Sequence, residues 1–350
     1  IQARRIVLAG LVVGIVATGF AFTTLPTAFI PDEDQGYGVG IFQLQNGASL
    51  VETKKLGNQI AKVLSEEDDV ANASIINGYG FNGSSPDQGV FFFGLQPLEE
   101  RKGAEHSSDA IVKRLNAKLI ALSDGLARAS GPPAVPGFSA QGGFYFQFND
   151  LSNGAYSFNE LSDLAGQLIK TADASGDFSS VYTQFTPSAP AIGLNLNREV
   201  MGALNVDFKE AMDTISALAG SSYSGLTYES GQVRSIYVPG PPNQRETIGD
   251  ILSYYVRSND GELVQVSQFA EAELSSAPPV ISHYNLSRTV LIQGAEAIGK
   301  SSGQALSKIQ QLFKAETYTN IGSAFTGLAA LQLSAGNASI LVFGLGVLIV

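Results

Sequence analysis

The chain has 350 residues, more than one ordinary domain needs, with 44% hydrophobic and 15% charged residues. Its formal net charge of −11 excludes nucleic acid as a natural partner, because an acidic surface repels phosphates. There is no cysteine, so disulfides, thiol nucleophiles and thiolate metal sites are excluded as well.

Ala3-Arg4-Arg5 opens a run from Ile6 to Ile30 that carries no charged residue and leaves through Pro31-Asp32-Glu33-Asp34-Gln35-Gly36. About twenty apolar residues span a bilayer as a helix. The run is long for a signal-peptide core, and Pro31 follows at once. Arginines before it and acids after it place the N-terminal end in the cytoplasm and the following chain outside.

Tyr37–Gln45 alternates as a strand, and Asn46-Gly47 turns the chain. Ser49-Leu50-Val51-Glu52 is a capping box, after which Leu56, Ile60, Val63 and Leu64 form one apolar helical face. Val70–Asn77 and Gly89–Leu95 read as strands joined by a glycine-rich loop, and a helix follows over Ser108–Leu122. A strand near Ala127 would complete a split β-α-β unit. The loop residues Gly78-Tyr79-Gly80-Phe81-Asn82-Gly83 match a dinucleotide fingerprint, but Ser84-Ser85-Pro86 lead on to a strand. No helix N-terminus is there to hold a pyrophosphate. The loop is therefore either a plain long hairpin or a mobile binding element. In Val90-Phe91-Phe92-Phe93, alternation sends Phe92 to the face opposite Phe91 and Phe93, as core or as pocket wall.

The pattern recurs. Phe144–Phe148 is a strand, Ser157-Phe158-Asn159-Glu160 a second capping box, and Phe178–Gln184 the next strand. Its second half waits until Thr289–Gln293, the helix Ser302–Phe313 and a strand near Tyr318–Phe325. Between them lies an insertion with a helix capped by Asp207 and strands at Gln232–Val238 and Ser253–Val256. Gly294 to Ser301 matches a P-loop. No aspartate follows Asp260 to serve Mg²⁺, fewer than fifty residues remain, and the loop is expected outside the cytoplasm, so a strand-to-helix turn is the better reading. Ala338 to Val350 is again apolar and reads as a second span cut short, so the chain is expected to be a fragment between two membrane helices.

His106 and His283 have no metal-ligand spacing, and no Ser/His/Asp order or paired carboxylate supports hydrolysis. No cofactor is expected.

Phe29-Ile30-Pro31-Asp32-Glu33-Asp34-Gln35-Gly36 directly after a membrane helix resembles the resistance–nodulation–division (RND) efflux pumps, in their hydrophobe/amphiphile branch. Asn77-Gly78-Tyr79-Gly80-Phe81 with Gly83, Pro133-Ala134-Val135, Leu194-Asn195-Leu196-Asn197-Arg198-Glu199, and Gly299-Lys300-Ser301-x-Gly303 continue the likeness in order. The chain looks like the second periplasmic half of such a pump.

The resemblance implies an α+β fold: two split β-α-β porter subdomains, the second interrupted by a docking subdomain. The expected bounds are 1–30 for the first membrane helix, 31–135 for one porter subdomain, 136–186 with 274–330 for the other, 187–273 for docking and 338–350 for the start of a second membrane helix. It implies a secondary transporter rather than an enzyme: a homotrimer in the bacterial inner membrane, mostly periplasmic, that exports amphiphilic molecules against protons. Its expected partners are the lipid bilayer, a periplasmic adaptor and an outer-membrane channel. The loop Gly78, Gly80, Asn82, Gly83 and Ser84 would be the switch loop. Val39, Ile76, Tyr79, Phe81 and Phe92 would contact substrate. Ser74 and Ser84 depart from the bulky aromatic and basic residues of the family pattern, and Arg128 and Ser130 from two aromatics. The proton relay is expected in other membrane helices, since Ile6–Ile30 has no ionisable side chain. Two methionines are too few for a soft-metal relay. The competing reading is a membrane-anchored extracytoplasmic binding or assembly domain without transport.

Overall fold

A computed structural model describes residues 33–81, 83–122, 125–297, 299–314 and 317–335, with isolated positions from 4 to 30. Asn82, the expected span at 338–350 and most of that at Ile6–Ile30 lie outside the described residues. Among the described residues no helix is long and apolar enough to cross a membrane. The described positions from Arg4 to Phe20 are helical, with Val7, Leu11, Val13 and Phe20 exposed.

The chain is a mixed α+β protein. It divides into two compact units, 1–188 with 278–350, and 189–277. The first unit begins with β1 (Tyr37–Leu44), α1 (Leu50–Ser65), β2 (Val70–Asn77), β3 (Gln88–Leu95), α2 (Ser108–Ile120) and β4 (Gly125–Ser130). These strands form an antiparallel sheet in the order β2-β3-β1-β4. Ser49 caps α1 through a reciprocal bond pair with Glu52, which satisfies backbone donors at the helix start. Leu56, Ile60 and Leu64 of α1 and Ile111, Leu115 and Leu119 of α2 pack on one face of the sheet, against Phe42, Phe91 and Phe93.

Glycines on that face make room for the rings. A β-carbon at Gly40 would lie 2.0 Å from the Phe91 ring, and one at Gly38 2.2 Å from Phe93. Phe91 and Phe93 stack at 6.2 Å. This packing assigns Phe91 and Phe93 to the core and turns Phe92 to the opposite face.

The second sheet of this unit starts with β5 (Phe144–Asp150), α3 (Phe158–Ser175) and β6 (Phe178–Thr183). The chain then forms the second unit: β7 (Ala189–Leu196), α4 (Arg198–Ala203), α5 (Phe208–Ala219), β8 (Ser221–Glu229), β9 (Gln232–Pro239), α6 (Ile248–Leu252), β10 (Tyr255–Arg257), β11 (Leu263–Gln265) and β12 (Ala270–Ala277). It returns through β13 (His283–Tyr284), β14 (Ser287–Glu296), α7 (Ser302–Leu312) and β15 (Ile321–Thr326). β14 pairs with β5 and β6, and β15 pairs with β5, which repeats the strand order of the first sheet. Phe146, Phe148, Leu161, Leu168, Ile292 and Ile309 centre its core.

In the second unit β7 pairs with β12 and β8 with β9. The strand predicted at Ser253–Val256 is displaced to Tyr255–Arg257. A capping box of Thr247 and Asp250 starts α6 just before it, and Ser253 is the C-cap of that helix.

Candidate functional site

The face of the first sheet away from α1 and α2 carries the residues expected to meet substrate. Cross-strand register sets them in rows, because directly opposed residues share a face. Phe92 stands between Val39 and Ser74, with Ser130 beyond Val39. In the next row Val90 stands between Ile41 and Ile76, with Arg128 beyond Ile41. A polar row follows, in which Gln43 opposes Gln88 on one side and Leu126 on the other.

The glycine loop folds over this face. Phe81 is half-buried against a cluster formed by Ile41 and Val90 of the sheet and Tyr182 of β6, on which Leu126 also packs. Its ring meets Phe92 edge-on at 6.5 Å and Tyr79 edge-on at 6.3 Å. Phe92, Tyr79 and Ile76 remain 38%, 44% and 43% exposed, whereas Val39 is 1% exposed. Phe81, Phe92 and Tyr79 thus form one aromatic group, Ile76 flanks it, and Val39 lies beneath as a buried floor.

The loop is closed rather than swung out. Gly80 and Gly83 exchange backbone hydrogen bonds of 3.0 and 3.2 Å. Gly78 donates to the Gln88 carbonyl at 2.7 Å, and Gln88 Nε2 donates to the Gly83 carbonyl at 2.8 Å. Gly83 has φ +140°, a conformation that favours glycine, and a β-carbon at Gly80 would meet the Gln88 amide at 2.7 Å. Tyr79 stays exposed, whereas Phe81 packs against the buried cluster of Ile41, Val90 and Tyr182. Ser84 is exposed at the loop's far side.

Local sequence did not single out Tyr182. Its hydroxyl lies 2.5 Å from Gln141 Oε1 and 3.1 Å from Gln293 Oε1, and burial pushes its phenol well above the ordinary range. Burial lowers the Arg128 guanidinium from its usual value, while Asp173 and Tyr182 act in the other direction.

The P-loop lookalike is engaged locally. Lys300 Nζ lies 3.1 Å from Asp177 Oδ1, and Lys308 holds the other oxygen at 3.3 Å. Ser301 caps α7 in a reciprocal pair with Gln304. The lysine and hydroxyl that a phosphate would need already serve the fold.

The sequence model of the AcrB/AcrD/AcrF family matches residues 1–350. The chain belongs to this family. It is an RND efflux-pump sequence, as the ordered motifs implied. It is 30% identical over 342 residues to the multidrug/solvent efflux pump membrane transporter MepB of Pseudomonas putida, covering 97% of this chain and 32% of that one. Multidrug resistance protein MdtF of Escherichia coli K12 is 28% identical over 341 residues, with 96% and 33% covered. Multidrug export protein AcrF of the same strain is 29% identical over 332 residues, with 93% and 32% covered. The chain spans about a third of the length of these curated relatives.

Proposed function

We propose that this family member is the periplasmic substrate-binding and porter part of a proton-driven efflux transporter that exports amphiphilic or hydrophobic compounds. The observation that carries the proposal is the aromatic group of Tyr79, Phe81 and Phe92, part exposed, at a hydrogen-bonded glycine loop. Apolar burial is non-directional, so such a wall accepts chemically varied ligands with few fixed polar contacts. The loop Gly78–Ser84 acts as a switch: opening it breaks the Gly80–Gly83 pair and withdraws Phe81 from Val90 and Tyr182.

In this reading the two sheets of the first unit are porter subdomains, over 31–135 and 136–186 with 274–330. The intervening 187–273 is the docking subdomain. The working assembly is a homotrimer in the inner membrane, with most of this chain periplasmic and with an adaptor and an outer-membrane channel as partners. Proton transfer belongs to other membrane helices.

Binding of Nile red to the purified intact transporter tests the site. Phe92→Ala removes one exposed ring and should weaken dye binding by about 1–3 kcal/mol. Unaltered affinity in both Phe92→Ala and Phe81→Ala would remove the aromatic group from the site.

A further inference from the structure

The first sheet ends in two edge strands, β2 and β4, and the protein treats them differently. The outer edge of β4 is occupied by side chains. Asn116 of α2 donates through Nδ2 to the Ala129 carbonyl at 2.8 Å, and its Oδ1 accepts the Ala129 amide at 2.7 Å. Arg128 Nη1 donates to the Ala127 carbonyl at 2.8 Å. The Ala129 backbone groups therefore point away from β1. Ladder bonds alternate along an antiparallel pair. Gly40, opposite Ala129, accordingly turns its groups to Phe91 of β3, and Ile75 of β2, opposite Phe91, turns its own outward. Ala73 and Asn77 share that direction by the same alternation. The Gly78 amide, one residue on, faces inward and donates to the Gln88 carbonyl at 2.7 Å, as the alternation requires.

The outer edge of β2 has no such cover. Among the described residues, no hydrogen bond reaches the outward N–H and C=O groups of Ala73, Ile75 or Asn77. Ala73 is exposed, and Ile75 and Asn77 are half-buried. Helix α1 lies over a face of this strand, where a β-carbon at Gly57 would come 2.5 Å from Asn77 Oδ1 and 3.3 Å from Ile75 Cγ2. The strand reads Val-Ala-Asn-Ala-Ser-Ile-Ile-Asn, without a charge or a proline. Its one irregularity of register falls between Val70 and Asn72, at the far end. Free edges in natural sheets are usually blocked by charged side chains, prolines, bulges or short length, and Ala73 to Asn77 has none of these.

An unblocked edge is a template for another strand, which gains main-chain bonds along it. The curated relatives are about three times as long as this chain, so the family carries much further sequence to supply one. Pairing of β2 with β2 of a second copy would need a two-fold axis, which a three-fold assembly does not provide. We propose that β2 is an interaction edge that takes a strand from the part of the full-length transporter outside residues 1–350, adding a fifth strand to the four of the first sheet. The incoming strand is uncharged, because β2 offers no opposite charge across from it, and it sets apolar residues beside Ile75 and Ile76. The proposal goes beyond the substrate-binding reading and draws on it only for the three-fold assembly.

Two measurements on the intact transporter test it. Residue-resolved amide hydrogen exchange should find Ala73 and Ile75 at least about 100-fold slower than in an unstructured peptide, as slow as Ser74, whose amide faces β3. Fast exchange at both overturns the proposal. A photo-cross-linking amino acid placed at the exposed position 73, in transporters assembled from mixed light and heavy isotope-labelled chains, identifies the occupant. The expected cross-link joins Ala73's position to a residue outside 1–350 of the same chain. A cross-link between a light and a heavy chain, one confined to the 350 residues, or none at all overturns the assignment. Trimer content, measured separately by mass, judges the three-fold assembly on its own.

Discussion

Single residues show what the family-bearing motif does physically. Asp34 accepts two bonds from the Arg101 guanidinium, at 2.8 and 3.0 Å, and its Oδ1 also receives the Gly36 amide at 3.0 Å. Arg101 has a side chain only 1% exposed and further donates to the carbonyls of Gln96 and His106. The neighbouring Gln35 reaches the Pro133 carbonyl at 3.1 Å. The motif therefore pins the start of β1 to the rest of the first unit. The Arg101 hydrogen bond holds the Asp34 carboxyl below its usual 3.8. A lowered carboxylate value means stability that is complete above the unfolded value and lost as pH falls through the folded one. Asp34→Asn should cost about 2–3 kcal/mol at pH 7, because it leaves a secluded guanidinium with one fewer anion. It should also flatten the loss of stability below about pH 4. Denaturant melts of both proteins across pH 2–7 check this; parallel curves would contradict it.

At the scale of elements, rings packed over glycines decide which face of the first sheet is core. Gly40→Ala should force the Phe91 ring away from β1, since the added carbon would sit 2.0 Å from it. Phe91 is fully buried and stacked on Phe93, so the ring has little room, and the cost should be about 1–3 kcal/mol in a denaturant melt. A variant as stable as the parent would show that the ring relocates freely. Much of this layer was legible in the sequence. Ser49 with Glu52 and Ser157 with Glu160 mark helix starts by short-range chemistry, and both boxes are formed. Strict alternation separated Phe92 from Phe91 and Phe93. What escaped depends on distant partners. Ala189–Leu196, with Pro190 and Gly193 inside it, has a weak strand pattern and exists by pairing with Ala270–Ala277. The glycines around Phe81 gave no sign that it would pack on a cluster drawn from two sheets, Ile41 and Val90 from one and Tyr182 from the other.

At the scale of the whole molecule, one strand order is built twice in the first unit, and residues 189–277 fold as a separate unit within the second copy. The first sheet keeps one face for helices and leaves the other for Phe81, Phe92 and the loop. Family membership over residues 1–350 joins this arrangement to efflux pumps about three times as long. The central claim is that the aromatic group contributes to export. The most direct measurement is drug susceptibility of cells that depend on the intact transporter carrying Phe81→Ala or Phe92→Ala, at matched expression and matched trimer content. Loss of a ring worth about 1–3 kcal/mol of ligand contact should lower resistance to some bulky apolar drugs and spare others. Unchanged resistance across a broad panel in both variants would contradict the account.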